Sequence, residues 1–207
     1  MHISDGILNA PILAAGFAGT VVIAAVTLRN MDLEEIPKIS VITAVFFVAS
    51  LIKVPIGPTS IHLILVGLVG VVLGWRAFPA VLLGLILQAL LFGHGGVTVI
   101  GINALMLGGG ALAGAFVWQQ RFRFKIKKTE VVFGAIAGAT GVAVSGLILA
   151  GALMTAGDAF IGTAYYILAV HVPIILIEAA VVGIAAGFLH KVKPEILFGS
   201  TRAPIKE

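Results

Sequence analysis

The chain is dominated by long stretches that contain no charged residue. Residues 6–28, 54–75, 77–120 and 131–157 lack Asp, Glu, Lys and Arg entirely. A transmembrane helix needs about 20 consecutive, mostly apolar residues. Each stretch is therefore long enough for one crossing, and 77–120 is long enough for two, separated by the Gly-His-Gly-Gly sequence at 93–96.

This pattern predicts an all-α integral membrane protein, a bundle of seven transmembrane helices. The predicted helices lie near 9–29, 38–53, 60–75, 77–93, 98–119, 130–155 and 162–190. The Pro- and Gly-containing stretch 54–58 is expected to be buried in protein or to line a cavity, because irregular backbone is not tolerated against lipid. The expected organisation is one transmembrane domain, 1–190, followed by a short cytoplasmic tail, 191–207.

The basic residues predict the orientation of the bundle. Cytoplasmic loops carry an excess of Lys and Arg. With the N-terminus outside and the C-terminus in the cytoplasm, 12 of the 13 basic residues fall inside, and only Lys53 falls outside. The basic segment 119–128 is interpreted as a loop that touches anionic lipid headgroups. Orientation therefore explains the basic excess, and no nucleic-acid partner is predicted.

Composition narrows the possible chemistry. Hydrophobic residues make up 60% of the chain and charged residues 11%, against about 25% charged in soluble domains, which excludes a soluble or a disordered protein. The 26 glycines favour close helix–helix contacts. The absence of cysteine excludes disulfides, thiolate metal sites and cysteine catalysis.

The N-terminal dipeptide is a candidate metal chelator. No cleavable signal is recognisable, so the protein is expected to begin at Met1. The amine of Met1, the amide nitrogen of His2 and the Nδ1 atom of its imidazole would form unstrained five- and six-membered rings around one ion. These three nitrogens lie near one plane and leave one square-planar position, an arrangement that suits Ni²⁺ or Cu²⁺.

Other histidines are weaker candidates. His62 is a plausible fourth ligand in the first turn of the third helix, with Thr59 or Ser60 as its N-cap; the alternative is a capping or solvated polar residue. His171 and Glu178 lie deep in the last span, where ionisable residues are functional candidates, although a buried histidine with satisfied hydrogen bonds explains His171 equally well. His190, at the inner end of that helix, is interpreted as structural.

Three sequence blocks together resemble the CbiM/NikM family, the substrate-binding membrane components of energy-coupling-factor cobalt and nickel importers. The blocks are Met-His-Ile-Ser-Asp-Gly-Ile-Leu at 1–8, Pro-Ile-Gly-Pro-Thr-Ser-Ile-His-Leu at 55–63, and 88–98 continuing to Gly-Ile-Asn at 101–103. The resemblance implies a metal site made by the Met1 amine, the His2 amide and imidazole, and the His62 imidazole. Residues implied to orient these ligands are Asp5, His94, Thr98 and Asn103. The sequence departs from the family pattern at 97–101 and after Asn103.

The resemblance also implies partners. Family members work with a coupling membrane subunit and two ATP-hydrolysing subunits, often with a small accessory membrane protein, in the cell membrane of a prokaryote. The chain has no phosphate-loop motif, so ATP hydrolysis is expected in separate subunits. The implied cargo is Co²⁺ or Ni²⁺, between which the sequence does not choose, and no cofactor is implied. The alternatives are a stand-alone secondary metal carrier or channel, a seven-helix receptor or sensor and, least favoured, an intramembrane enzyme.

Overall fold

The computed structural model describes residues 2–56, 59–124 and 126–199, with backbone alone at 53–56 and 59–62. Within these residues the chain forms seven α-helices and one β-hairpin. The helices are α1 (Ala10–Leu28), α2 (Ile36–Leu51), α3 (Val66–Leu73), α4 (Ala77–Phe92), α5 (Ile100–Gln119), α6 (Thr129–Met154) and α7 (Ile161–Val192). The hairpin consists of β1 (Lys53–Ile56) and β2 (Thr59–His62), paired antiparallel with Lys53 opposite His62.

Five segments of the described chain are long and apolar enough to cross a membrane. They are Ala10–Leu28, Val66–Phe92, Ile100–Arg123, Thr129–Met154 and Asp158–Val192. Helix α2 has 16 residues, about 24 Å at 1.5 Å per residue, which is shorter than a hydrocarbon core of about 30 Å. A predominantly helical membrane protein is therefore confirmed, while seven crossings with the N-terminus outside stay a prediction.

The predicted third helix, 60–75, is wrong in its first part. Residues 59–62 form strand β2, so His62 lies in a strand and neither Thr59 nor Ser60 caps a helix. Helix α3 begins only at Val66 and has eight residues, about 12 Å. The hairpin is also a departure from the expected all-α fold.

A carboxylate from a distant helix explains where α3 begins. The backbone N–H groups of Ile64 and Leu65 donate to Oε1 of Glu178 in α7, at 2.5 and 2.9 Å. Leu65 adopts a left-handed conformation with φ 53°, which turns the extended chain into the helix. Glu178 is completely buried. The first N–H groups at a helix start need an acceptor, and here Glu178 supplies it in place of a local cap.

Glycines allow α6 and α7 to pack in direct backbone contact. A Cβ atom on Gly134 would lie 2.6 Å from Cβ of Ala186, and one on Gly138 would lie 2.6 Å from the carbonyl oxygen of Glu178. In the opposite direction, a Cβ on Gly183 would lie 2.9 Å from the carbonyl oxygen of Val131. The prediction that these glycines mark helix contacts is confirmed, and α7 with Glu178 is thereby held at a fixed distance from α6.

At the end of the bundle that carries most basic residues, Arg76 joins α1, α2 and the α3–α4 turn. Its guanidinium donates to the carbonyl oxygens of Thr27, Arg29 and Asn30 and to the carboxylate of Glu35, the last at 3.0 Å. Burial alone would raise the pKa of Glu35, but hydrogen bonds from Arg76 and from the backbone of Asp32 outweigh it and lower that pKa. This contact fixes the turn between α1 and α2.

The last described residues pack onto the same end of the bundle. The backbone N–H of Phe198 donates to the carbonyl oxygen of Val71, and its own carbonyl accepts from Nε1 of Trp118, both at 3.0 Å. Leu197 is 2% exposed. Residues 193–199 are therefore part of the packed body, even though the sequence places them in the tail.

We expect Gly138→Ala to lower stability. The added Cβ would fall against the backbone of Glu178 and the side chain of Val182, and overpacking of this kind costs about 1–3 kcal/mol. The matched control is Gly151→Ala in the same helix, where no described atom lies within 4 Å of the added Cβ and alanine favours the helix by about 0.5–1 kcal/mol. Thermal unfolding in detergent should separate the two variants; equal midpoints would contradict the close α6–α7 contact.

Candidate metal site

The N-terminal segment is held at the start of α5 by a pair of amide hydrogen bonds. The backbone N–H of Ile3 donates to Oδ1 of Asn103 at 2.9 Å, and Nδ2 of Asn103 donates to the carbonyl oxygen of Ile3 at 3.0 Å. Both residues are 2% exposed. Because Asn103 satisfies both backbone groups of the residue after His2, the peptide that carries His2 has a fixed position.

A second contact holds the segment against the loop between α4 and α5. Oδ1 of Asp5 accepts from the backbone N–H and the hydroxyl of Thr98, at 3.1 and 2.5 Å. The backbone N–H of Asp5 donates to the carbonyl oxygen of Gly95 at 2.8 Å. Gly96 has φ +109°, and a Cβ there would lie 2.1 Å from Cγ of Asp5, so only glycine fits at that position.

The imidazole of His94 lies beside that of His2. The two ring centroids are 6.3 Å apart with an interplanar angle of 26°, a stacked arrangement. The ring of Phe92, the last residue of α4, lies 6.1 Å from that of His94. The stacked His94 ring limits the orientations that the His2 ring can take.

The structure thus gathers the predicted supporting residues around the N-terminal segment. Asp5, Thr98 and Asn103 form the hydrogen bonds described above, and His94 packs against His2. Met1 and the side chain of His62 lie outside the described residues; the backbone of His62 ends strand β2. The coordination of a metal ion by these groups stays a prediction. Among the described side chains, no three His, Asp or Glu residues form a metal-binding cluster.

Three buried polar side chains fix the two ends of the hairpin; the sequence identified Glu178 as an intramembrane candidate but gave no role to Gln88 or Ser50. Nε2 of Gln88 in α4 donates to Oγ of Ser50 at 2.8 Å, and Ser50 donates to the carbonyl oxygen of Phe47 at 2.6 Å. Ser50 stands at the end of α2, just before β1. Glu178 holds Ile64 and Leu65, just after β2. Polar residues inside otherwise apolar spans were the available signal for all three side chains.

A cavity adjoins the N-terminal segment. It has a volume of about 300 Å³ and lies between residues 2–7 and the helices α6 and α7, with the side chains of His2 and His171 in its wall. A larger cavity of about 600 Å³ surrounds Arg76, at the opposite end of α4. His2 lines the smaller cavity and does not line the larger one. The smaller cavity is therefore the one that adjoins the candidate site.

Comparison with known proteins decides the family. Residues 2–196 match the CbiM family, described as the cobalt uptake substrate-specific transmembrane region. The chain belongs to the CbiM family. It is 35% identical over 200 residues to a putative metal transport protein of Haemophilus influenzae, covering 95% of this chain and 97% of that protein.

A further relative and a solved structure also resemble this CbiM family member, and both are described as metal transporters. It is 31% identical over 159 residues to a fused nickel transport protein, NikMN, of Rhodobacter capsulatus, covering 72% of this chain and 46% of that longer protein. A crystal structure described as a transition metal transporter superposes with a TM-score of 0.77 at 26% identity, and 93% of each chain is covered. This CbiM protein is therefore a multi-pass membrane protein of cobalt or nickel transport, and not an enzyme. Components of this family work with other transporter subunits.

We expect Asn103→Leu to release the N-terminal segment. Leucine keeps the branched shape of the Asn side chain and favours the helix, but it leaves the N–H and C=O of Ile3 without their partner, at about 1–3 kcal/mol for each buried group. Hydrogen exchange of a peptide covering residues 2–8 should become faster than in the parent protein. Ser4→Ala, at an exposed position of the same segment, is the control and should leave exchange unchanged.

We expect Glu178→Gln to be tolerated and Glu178→Leu to be destabilising. Glutamine keeps an oxygen that accepts from Ile64 and Leu65, whereas leucine orphans two buried N–H groups at about 1–3 kcal/mol each. Thermal unfolding together with hydrogen exchange over residues 63–68 measures the effect. An equal loss in both variants would show that the charge of Glu178, and not its acceptor oxygen, holds the start of α3.

Proposed function

We propose that this protein captures Co²⁺ or Ni²⁺ at the extracytoplasmic face of a prokaryotic cell membrane and passes it inward as the substrate-binding subunit of an ATP-driven energy-coupling-factor importer. The ion is held by the amine of Met1, the amide nitrogen and imidazole of His2, and the imidazole of His62. Asp5, His94, Thr98 and Asn103 hold these ligands in place.

The observation that carries the proposal is the burial of the N-terminal segment. A free N-terminus is ordinarily among the least ordered parts of a chain, yet Ile3 is almost fully buried and both of its backbone groups bond to Asn103. Such fixation reduces the conformational entropy that the chelating dipeptide loses when it binds an ion.

The donor chemistry supports a tetragonal ion. Three nitrogens from two consecutive residues occupy three corners of a square, and His62 supplies the fourth. Imidazole and amide nitrogens suit Ni²⁺ and Co²⁺ better than Mg²⁺ or Ca²⁺, which prefer oxygen. The amine, the amide and the imidazoles bind only after losing protons, so binding releases protons to the medium.

Transport requires further subunits in this proposal. The membrane topology is seven crossings, with the N-terminus outside and residues 191–207 on the cytoplasmic side. A coupling membrane subunit and two ATPase subunits supply the energy, with a small accessory membrane subunit where the system has one. The fused nickel transport relative, of which this chain matches under half, supports the association with further polypeptide. The sequence itself carries no phosphate-loop motif.

We expect five alanines inserted before Met1 to abolish tight metal binding. The insertion moves the amine too far from His2 to share an ion with its amide and imidazole. His2→Ala removes the imidazole, and with it the six-membered ring. Each change should weaken Ni²⁺ or Co²⁺ binding by at least about 100-fold. Titration of the purified protein by competition with a chromophoric chelator measures the affinity.

Ser4→Ala is the matched control and should bind metal as the parent protein does. Mass spectrometry of each preparation verifies which residue carries the free amine. Unchanged tight binding in both the extended protein and His2→Ala would contradict the proposal.

A further inference from the structure

A groove runs between the start of α6 and the last turns of α7, and we call it the α6–α7 groove. It has a volume of about 420 Å³, within the range of about 300–1,000 Å³ that is usual for small-molecule sites. It shares no lining residue with the cavity beside His2. Its walls combine apolar side chains with cations: Val131, Ile184, Phe188, Lys128 and Lys191.

The apolar wall of the groove lies on the outer surface of α7. Ile184, Phe188 and Lys191 follow one another at intervals of four and three residues and therefore lie on one side of the helix. Ile184 is 70% exposed and Phe188 60% exposed, in a segment that is long and apolar enough to cross a membrane. From Ile184 to Lys191 this face extends about 10 Å along the helix axis. The groove thus begins on an apolar surface and ends at a cation.

The cationic end of the groove carries more positive than negative charge. The acidic residue of the lining, Glu130, has its carboxylate 3.7 Å from Nε2 of His190. Lys128 and Lys191 are exposed, and neither forms an ion pair with any side chain that the structure describes. Two lysines against one carboxylate leave this end positive, and protonation of His190 would make it more so.

The start of α6 adds to that positive charge. Lys128 precedes the helix in a left-handed conformation, with φ 58° and ψ 42°, and no side chain caps the helix. The first N–H groups of a helix have no partner within it, and the helix dipole is positive at this end. An anion between the two lysines is therefore also favoured by the 26-residue helix behind Lys128.

We propose that the α6–α7 groove binds one anionic phospholipid, with its phosphate between Lys128 and Lys191 and an acyl chain along Ile184 and Phe188. A phospholipid carries a negative headgroup and an apolar chain in the same order as the cations and the apolar wall of the groove. Basic pockets between transmembrane helices bind such headgroups. The lipid connects the start of α6 with the end of α7, so its binding should stabilise the folded protein. This site is independent of the proposed metal site.

The test measures lipid binding by native mass spectrometry of the purified protein in a neutral detergent. The probe is dioleoylphosphatidylglycerol, and dioleoylphosphatidylcholine, which has no net charge, is the comparison lipid. The parent protein should bind the anionic lipid more tightly. The double variant Lys128→Gln, Lys191→Gln should weaken the Kd of the first bound phosphatidylglycerol by about tenfold or more, since each lysine near an anionic headgroup contributes roughly fivefold.

Two further double variants serve as controls. Lys127→Gln, Lys193→Gln removes the same charge from exposed positions directly beside the groove that do not line it, and it should leave the Kd nearly unchanged. Lys128→Arg, Lys191→Arg keeps both charges and should retain binding of phosphatidylglycerol. Thermal unfolding without added lipid verifies that all variants fold as the parent does, and added phosphatidylglycerol should raise the midpoint of the parent and of the Arg variant alone among the two that alter the groove.

Three results would overturn the lipid site. Equal weakening in the groove variant and in Lys127→Gln, Lys193→Gln would show that the basic end of the protein attracts anionic lipid without a defined site. Equal binding of the two lipids by the parent protein would exclude recognition of the headgroup charge and leave the groove to a protein partner. Displacement of phosphatidylglycerol by millimolar inorganic phosphate would show that the groove binds a phosphate alone and makes no use of the acyl chain.

Discussion

The paired hydrogen bonds between Asn103 and Ile3 are the constraint on which the candidate site depends. They fix a terminal peptide inside a helical bundle, and every other contact of the segment follows from that position: Asp5 reaches Thr98, and the His2 ring meets His94. An amide side chain is suited to this task because it offers one acceptor and one donor in the spacing of a backbone N–H and C=O. In an apolar setting, a peptide without such a partner would carry two unsatisfied groups.

The chain next to the fourth proposed ligand, His62, is also held by hydrogen bonds from a helix side chain. Strand β2 ends at His62, and two residues later the chain is fixed by the Glu178 carboxylate from α7. At the start of the hairpin, Gln88 from α4 bonds to Ser50. Polar side chains from three different helices therefore determine where residues 2–9 and the residues flanking the hairpin lie. The apolar packing determines only where those helices stand.

The difference between apolar helix packing and long-range polar contacts explains how far the sequence predicts the structure. Uncharged stretches located α1, α4, α5 and α6 because an apolar run has few alternatives in a membrane, and the family resemblance pointed to Asp5, His94, Thr98 and Asn103 as neighbours of His2. The start of α3 was predicted wrongly because helix start signals are local, whereas its acceptor, Glu178, is 113 residues away from Leu65. The left-handed Leu65 likewise has no sequence signature, since leucine rarely adopts that conformation.

The division between packed helices and tethered segments also has an energetic consequence for a protein that must bind its cargo and then give it up. Gly67 and Gly70 bring α3 into backbone contact with α6 and α5, where an added Cβ would lie 2.5 Å from Gly138 and 2.2 Å from the carbonyl of Ala111. Moving α3 relative to α5 and α6 means repacking close-fitted helices, at a cost of several kcal/mol. The N-terminal segment, by contrast, is held by hydrogen bonds of about 0.5–1.5 kcal/mol each and by the burial of Ile3, which adds about 1.5–3 kcal/mol. A partner that acts on this segment therefore works against a few local contacts, whereas one that shifts a helix must repack the bundle.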